Sequence, residues 1–394
     1  MLGKEEVEEV LAVIRSGCLS RDYGPDSQQA VLRFEQGIAE SLGVEYALGV
    51  TSGTAALKVA LAAAGVGPGH EVIMPCCTFI SSASSAMSLG AVPVFAEIDT
   101  SLAIDPDDIE HRITERARAI LPVHLYGVPC QMDKITAIAK RHNLKVIENC
   151  ALSCGTTYLG KCIGAWGDMG AISLQIVKVI TAGEGGVVTS SDPVLYERAV
   201  RFHDLGGYRQ QTRLQNIELT QEEFLGEVYR MPELVGAVAV RQLAKLGTIT
   251  STLRSIYKRY REGVAGIEGL TVQPVNDADG ALATRWGLVF DDAETCTRFS
   301  EAIRGAGLSP GLMYGGTPIY LKPSVLNQTT WVPEANPLTS PLYKGDVRYH
   351  EGLCPRSEDI MKRVLMVASP NPRWSERDVD MVLEILRDAA AEVL

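Results

Sequence analysis

Between residues 46 and 190, short apolar runs alternate with stretches of helical periodicity. No other feature restricts the fold as much. The strand candidates are 46–50, 71–75, 92–98, 119–125, 145–148, 170–175 and 186–189, with helical patterns between most of them. Short apolar strands joined through helices make a mostly parallel sheet covered on both faces. Residues 1–40 read as a helix, a turn ("SRDYGPDS") and a second helix. After about residue 245 the pattern changes to a long helix over 251–266, strands near 270–274 and 286–291, and a helix over 293–306. The segment 314–357 is rich in Pro, Gly and Tyr and reads as a long functional loop. The final helix opens on Ser375 and Asp378, a variant of the capping box. The expected organisation is a large α/β domain over 1–245 and a smaller α+β domain over 246–394.

A chain of 394 residues can bury a core for two domains. The 37 Lys+Arg against 48 Asp+Glu leave a net charge of -11. That balance argues against nucleic acid or an anionic membrane as partner. The longest apolar candidate, "AALKVALAAAG", is too short to span a bilayer and carries Lys58. The acidic, amphipathic N-terminus is not a signal peptide. Nine scattered cysteines suit a reducing cytoplasm better than a disulfide framework. Neither the Cys150/Cys154 nor the Cys76/Cys77 spacing matches a zinc site, and no H-E-x-x-H occurs, so no metal is expected.

Three short stretches carry chemistry. In "VTSGTAALKVAL" a strand ends at Val50 and Ser52-Gly53-Thr54 opens a helix, whose free N–H groups and dipole can hold a phosphate. The plainer alternative is that Ser52 only caps the helix. In "KVIENCALSCG" an apolar strand ends at Asn149, where open α/β sheets place ligands; the plainer reading is a turn. "GTTYLGKC" lacks the final hydroxyl of a phosphate loop, so no nucleotide triphosphate is expected there, and "GVGPGH" lacks dinucleotide spacing and reads as a loop.

The third stretch is "SLQIVKVITAGEGG", strand-like and apolar with one lysine, Lys178, before a glycine turn. Leu174, Ile176, Val177, Val179 and Ile180 flank that lysine with apolar groups. A surface lysine is the default. Apolar surroundings instead disfavour the ammonium form and lower the pKa, and a neutral amine can attack a carbonyl. A phosphate cradle, a polar strand end and a desolvated amine are together what pyridoxal 5'-phosphate requires.

The order and spacing of "RSGCLSRDYG", "TSGTAAL", "GVGPGHEVIMPCCTFISSASS", "LGAVPVFAEID", "PVHLYGVPCQMD", "GKCIGAWGDMGAISLQIVKVITAGEGG", "YRMPELVGAVAVRQLAKL" and "CPRSEDI" resemble the DegT/DnrJ/StrS family across the whole chain. These are pyridoxal-phosphate sugar and cyclitol aminotransferases of the aspartate aminotransferase fold, fold type I. Some stretches also resemble amino-hydroxybenzoate synthase, a relative that dehydrates and aromatises a ring. The resemblance implies that Lys178 joins the cofactor aldehyde. It implies that Gly53, Thr54 and Ser173 touch the phosphate and that Phe79 stacks on the ring. It also implies a homodimer, with "YRMPEL" around Arg230 facing a neighbouring site, and Glu or Gln as amino donor.

The chain departs from the family pattern where that pattern reads E-D-x-A-Q or E-D-x-A-H. Here Asn149 replaces the aspartate that pairs with the ring nitrogen, and Leu152 replaces the Gln or His. Cys154 and Val228 stand where His and Asn are usual. An amide supplies no charge to the ring nitrogen, so the electron sink is weaker. The expected function is transfer of an amino group from an amino acid to a keto sugar or cyclitol, in secondary-metabolite or surface-sugar biosynthesis. Two alternatives remain: elimination, dehydration or decarboxylation on the same cofactor, and a non-catalytic partner subunit, against which the intact Lys178 argues.

Overall fold

The structure, a computed structural model, describes residues 2–21, 24, 27–206 and 217–394. The two N-terminal helices are α1 (Lys4–Ser16) and α2 (Ala30–Leu42), as expected; residues 22, 23, 25 and 26 of the turn between them lie outside the described residues. Nine strands follow: β1 (Tyr46–Val50), β2 (Glu71–Pro75), β3 (Val92–Ala96), β4 (Ala117–Ile120), β5 (Lys145–Asn149), β6 (Thr157–Tyr158), β7 (Lys161–Cys162), β8 (Met169–Ser173) and β9 (Gly186–Ser190). Strands β6 and β7 form a separate hairpin within "GTTYLGKC". The other seven form one sheet in the order β1-β9-β8-β5-β4-β2-β3.

Strands β3, β2, β4, β5 and β8 pair in parallel, while β9 is antiparallel to both β8 and β1. All strands but β9 therefore run one way. The C-terminal ends of β1, β2, β4, β5 and β8 share one edge of the sheet, where ligands bind in folds of this kind. Strands β2, β3, β8 and β9 are buried throughout, which is why they read as continuous apolar runs.

Three of the strands expected in this sheet are too long. The run over 119–125 leaves the ladder after Ile120, because Pro122 has no N–H to continue it, and a 3-10 turn takes up Leu125–Gly127. Strand β3 stops at Ala96, and Ile98 makes only an isolated bridge to Ile104. Strand β8 stops at Ser173, whose Oγ accepts the Gln175 N–H at 3.4 Å and turns the chain.

Helix α3 (Gly53–Ala63) reads GTAALKVALAA. Its alanines let it lie close against the sheet, and Leu57, Val59 and Leu61 are buried there. Truncating such a leucine to alanine costs about 2–5 kcal/mol.

The C-terminal part holds a second sheet of β10 (Thr271–Val272), β11 (Trp286–Val289), β12 (Gly311–Leu312) and β13 (Val364–Ala368) in the order β10-β11-β13-β12. The helices Leu246–Ala265 and Glu376–Val393 pack with it, and Trp286 stacks on Tyr260 with ring centroids 4.4 Å apart. The capping box is present: the Ser375 N–H donates to the Asp378 carboxylate at 2.7 Å. The 314–357 segment is not an open loop. Tyr343 donates to buried Glu71 at 2.7 Å and Tyr349 to the Pro93 carbonyl at 2.8 Å, strapping the segment across β2 and β3. Buried tyrosine hydroxyls need such partners, and this spends the aromatics that suggested a functional loop.

Candidate active site

A cavity of about 430 Å³ opens at the C-terminal edge of the large sheet. Ser52, Gly53, Thr54, Phe79, Asn149, Leu152, Ser173 and Lys178 all line it, although they come from four separate strand ends. Arg230 is not among its lining residues; within this chain its guanidinium pairs with buried Asp204.

One end of the cavity is the start of α3. The Ser52 Oγ accepts the Ala55 N–H at 3.0 Å, so the capping role is real. It leaves the N–H groups of Gly53 and Thr54, the first two of the helix, without intrahelical acceptors and at the positive end of the dipole. A β-carbon on Gly53 would lie 2.6 Å from the Ser173 Cβ and 2.9 Å from its Oγ. One on Gly186 would lie 2.3 Å from the Ser52 carbonyl oxygen. Glycine at both positions lets the helix end, β8 and β9 converge, so that hydroxyls and amide N–H groups cluster in a space suited to a phosphate.

Lys178 does not sit on a strand. The chain turns after Ser173, with the Lys178 N–H donating to the Gln175 carbonyl at 2.9 Å. Ile176 and Val177 are 57% and 73% exposed in this single chain, although Val177 still lines the cavity beside the lysine. The burial comes from the cavity walls, with Leu174 and Ile180 beneath. Lys178 is half-buried, and among the described residues its Nζ has no hydrogen bond or salt bridge. Burial lowers its pKa, and the Glu184 carboxylate on the same cavity wall pulls the other way.

Asn149, at the end of β5, is nearly fully buried. Its Oδ1 accepts the Ala151 N–H at 3.1 Å, the turn expected of an asparagine here. A backbone N–H can only donate, which fixes the amide orientation and turns Nδ2 toward the Ser82 hydroxyl at 3.1 Å. Ser82 in turn pairs with Thr78 at 2.7 Å. The side chain thus offers the cavity an N–H donor, where an aspartate would offer an acceptor. Leu152 keeps the wall beside it apolar.

Behind Asn149, Glu148 is wholly buried and accepts the N–H groups of Gly164, Trp166 and Gly167 at 2.7–2.8 Å. His124 lies 3.1 Å from it through Nε2, while the Nδ1 accepts the Cys130 N–H. His124, Glu148 and Cys150 lie close enough to hold a metal ion. The carboxylate and the imidazole are already committed to these hydrogen bonds, however, so the group reads as the brace of the β5 end.

Sequence reasoning missed Thr78, Tyr126 and Tyr314. Both tyrosines line the cavity with backbone φ of 50°, a left-handed conformation rare outside glycine. Such strain gathers at functional sites, but no residue type in the sequence announces it. Tyr314 is the sole part of 314–357 that lines this cavity. Phe79 stands at the mouth, 59% exposed.

The model of the DegT/DnrJ/EryC1/StrS aminotransferase family matches residues 1–348. The chain belongs to that family. It is 34% identical over 393 residues to the spore coat polysaccharide biosynthesis protein SpsC of Bacillus subtilis, covering 98% of this chain and 95% of that one. It is 32% identical over 273 residues to the GDP-perosamine synthase of Vibrio cholerae, covering 68% and 71%. The solved structure of 3-amino-5-hydroxybenzoic acid synthase superposes with a TM-score of 0.81 at 26% identity, over 100% of this chain and 97% of that one. Members of the DegT family are pyridoxal-phosphate-dependent, and the fold is type I.

Proposed function

We propose that this member of the DegT family binds pyridoxal 5'-phosphate and transfers an amino group from Glu or Gln to a keto sugar or cyclitol. Surface-sugar biosynthesis is the setting suggested by the names of the two sugar-handling relatives. The observation that carries the reading is the unpaired, half-buried Lys178 in the same cavity as the N-terminus of α3. The residues present fit the cofactor. Gly53, Thr54, Ser52 and Ser173 would hold the phosphate, Phe79 would lie against the ring, Asn149 would meet the ring nitrogen and Leu152 would wall it. Bound there, the cofactor would supply an aldehyde for the substrate nitrogen and a ring that draws charge from the reacting carbon. Lys178, its pKa lowered by burial, would take the proton from that carbon and return it on the far side of the substrate nitrogen, two atoms away.

A second reading keeps the cofactor and changes the reaction to elimination, dehydration or decarboxylation. The N–H that Asn149 presents favours it, because a donor suits an unprotonated ring nitrogen and a weaker electron sink. Residues 1–245 would form the cofactor-holding domain and 246–394 the smaller one. A homodimer would cover the exposed Phe79 and Val177 of the cavity wall and the exposed Ile176 next to Val177 in sequence. The free thiols of all nine cysteines suit the cytoplasm, and no helix among the described residues is long and apolar enough to cross a membrane.

The test is spectroscopic. The purified protein should show the visible band of lysine-linked cofactor, and the band should fade on adding L-glutamate or L-glutamine. A protein reconstituted with cofactor that shows no such band refutes the reading. A band that persists with every amino donor, while a substrate is dehydrated or decarboxylated, favours the second one. Light scattering that finds a fully active monomer removes the dimer.

A further inference from the structure

A second cavity, of about 420 Å³, adjoins the first, and Tyr126, Leu152, Val177 and Lys178 belong to the walls of both. Ser52–Thr54 line only the first cavity and Arg285 only the second. The far wall of the second comes from the C-terminal part of the chain: Leu253, the Thr284-Arg285 approach to β11, and the turn after β13 at Ser369 and Asn371.

Arg285 is held there by two contacts. Its guanidinium lies over the Tyr126 ring, 4.9 Å from the centroid, and its Nε donates to the Ser369 Oγ at 3.2 Å. These fix the plane of the group. Among the described residues no carboxylate pairs with it and no acceptor takes its two Nη groups, and no acidic side chain lines this second cavity. A partly buried guanidinium without a counter-charge is unfavourable, so the arrangement fits a protein that meets an anion there. Among the described residues Lys178 is the sole other cation on the wall. A phosphate generally gathers several donors, as it would at α3; a single planar fork matches a carboxylate.

We infer that Arg285 is a specificity-determining residue that receives a carboxylate of the substrate, in the cavity beyond Lys178. This deepens the aminotransferase reading and rests on it. Two sources share the chemistry: the carboxylate of the amino donor, or one carried by the acceptor.

Glutarate, a dicarboxylate that cannot react, reads the site without turnover. By titration calorimetry the purified protein should bind it, Arg285→Gln should weaken it about 10- to 100-fold, and Arg285→Lys should recover part of the loss. Absence of glutarate binding to the wild type, or equal affinity in Arg285→Gln, overturns the inference. Stopped-flow mixing with L-glutamate then separates the sources. A rise in the half-saturating L-glutamate concentration with the cofactor band intact assigns the carboxylate to the donor. Unchanged L-glutamate saturation together with weakened glutarate assigns it to the acceptor. Glutarate binding through Arg285 in a protein with no cofactor band refutes the aminotransferase reading while leaving the carboxylate site standing.

Discussion

The Ser52–Ser173 end of the cavity is built from backbone, whereas the Tyr126–Arg285 end is built from long side chains. At the first, helix N–H groups and two glycines on adjacent elements leave almost no room for change; a single methyl group would meet the Ser173 Cβ at 2.6 Å. At the second, a guanidinium resting on a tyrosine ring and a serine hydroxyl can be exchanged without moving a strand. The difference separates an end whose shape the backbone fixes from an end whose chemistry one side chain can change. Lys178 stands in the wall between the two.

Removing that shared group gives the largest effect. Lys178→Ala should lower turnover on the order of a thousandfold or more, because proton transfer and cofactor attachment go together. Borohydride should no longer fix cofactor to the protein; a variant that is still labelled assigns the attachment elsewhere.

The next largest effect separates the two ends. Gly53→Val drives side-chain atoms into Ser173, and overpacking of this kind costs about 1–3 kcal/mol. It should lower the melting temperature and weaken cofactor affinity at least tenfold, whereas Arg285→Gln should leave cofactor affinity alone. Equal losses of cofactor in both variants would erase the distinction between backbone-built and side-chain-built ends.

Asn149→Asp sharpens it from the cofactor side. In the ordinary aminotransferase reading a carboxylate opposite the ring nitrogen strengthens the electron sink, and the donor half-reaction should quicken about tenfold, or about 1.4 kcal/mol of barrier. A native rate that falls instead supports the retuned chemistry. Leu152→Gln, measured alongside, shows whether the apolar wall contributes.

The smallest effect is a pH profile. Burial places the folded pKa of Lys178 below its ordinary 10.5. The neutral amine is then present at lower pH than in a free lysine. Cofactor uptake by the cofactor-free protein should climb with pH and level off before 10.5. The folded chain also binds that proton more weakly than the unfolded chain. Stability from this group is therefore complete above the unfolded value and lost as pH falls through the folded one. Lys178→Met should flatten this dependence in thermal melts, and an unchanged curve would show that burial does not act on the amine.

The alternation of apolar runs with helical periods determined the parallel sheet, and strands β1 and β2 were legible to their ends. That Ser52-Gly53-Thr54, Ser173 and Lys178 line one cavity was legible too, because each stretch is local and places its polar groups within a few consecutive positions. Glycine and hydroxyl residues beside a strand end have few other uses in combination. Tertiary structure alone decided three things. Lys178 lies on a turn, and most of the cavity wall around it comes from residues distant in sequence, while its neighbours Ile176 and Val177 remain exposed. Tyr343 and Tyr349 strap the sheet, because Glu71 and the Pro93 carbonyl find these partners more than 250 residues away in sequence. Arg285 reaches Tyr126 and Ser369 only because the second sheet packs beside the first, and its positive charge lacks a partner only in three dimensions. Period and propensity are properties of neighbouring residues and can be read along the chain. Burial and unpaired charge are sums over everything that surrounds a group, and only the folded chain supplies those surroundings.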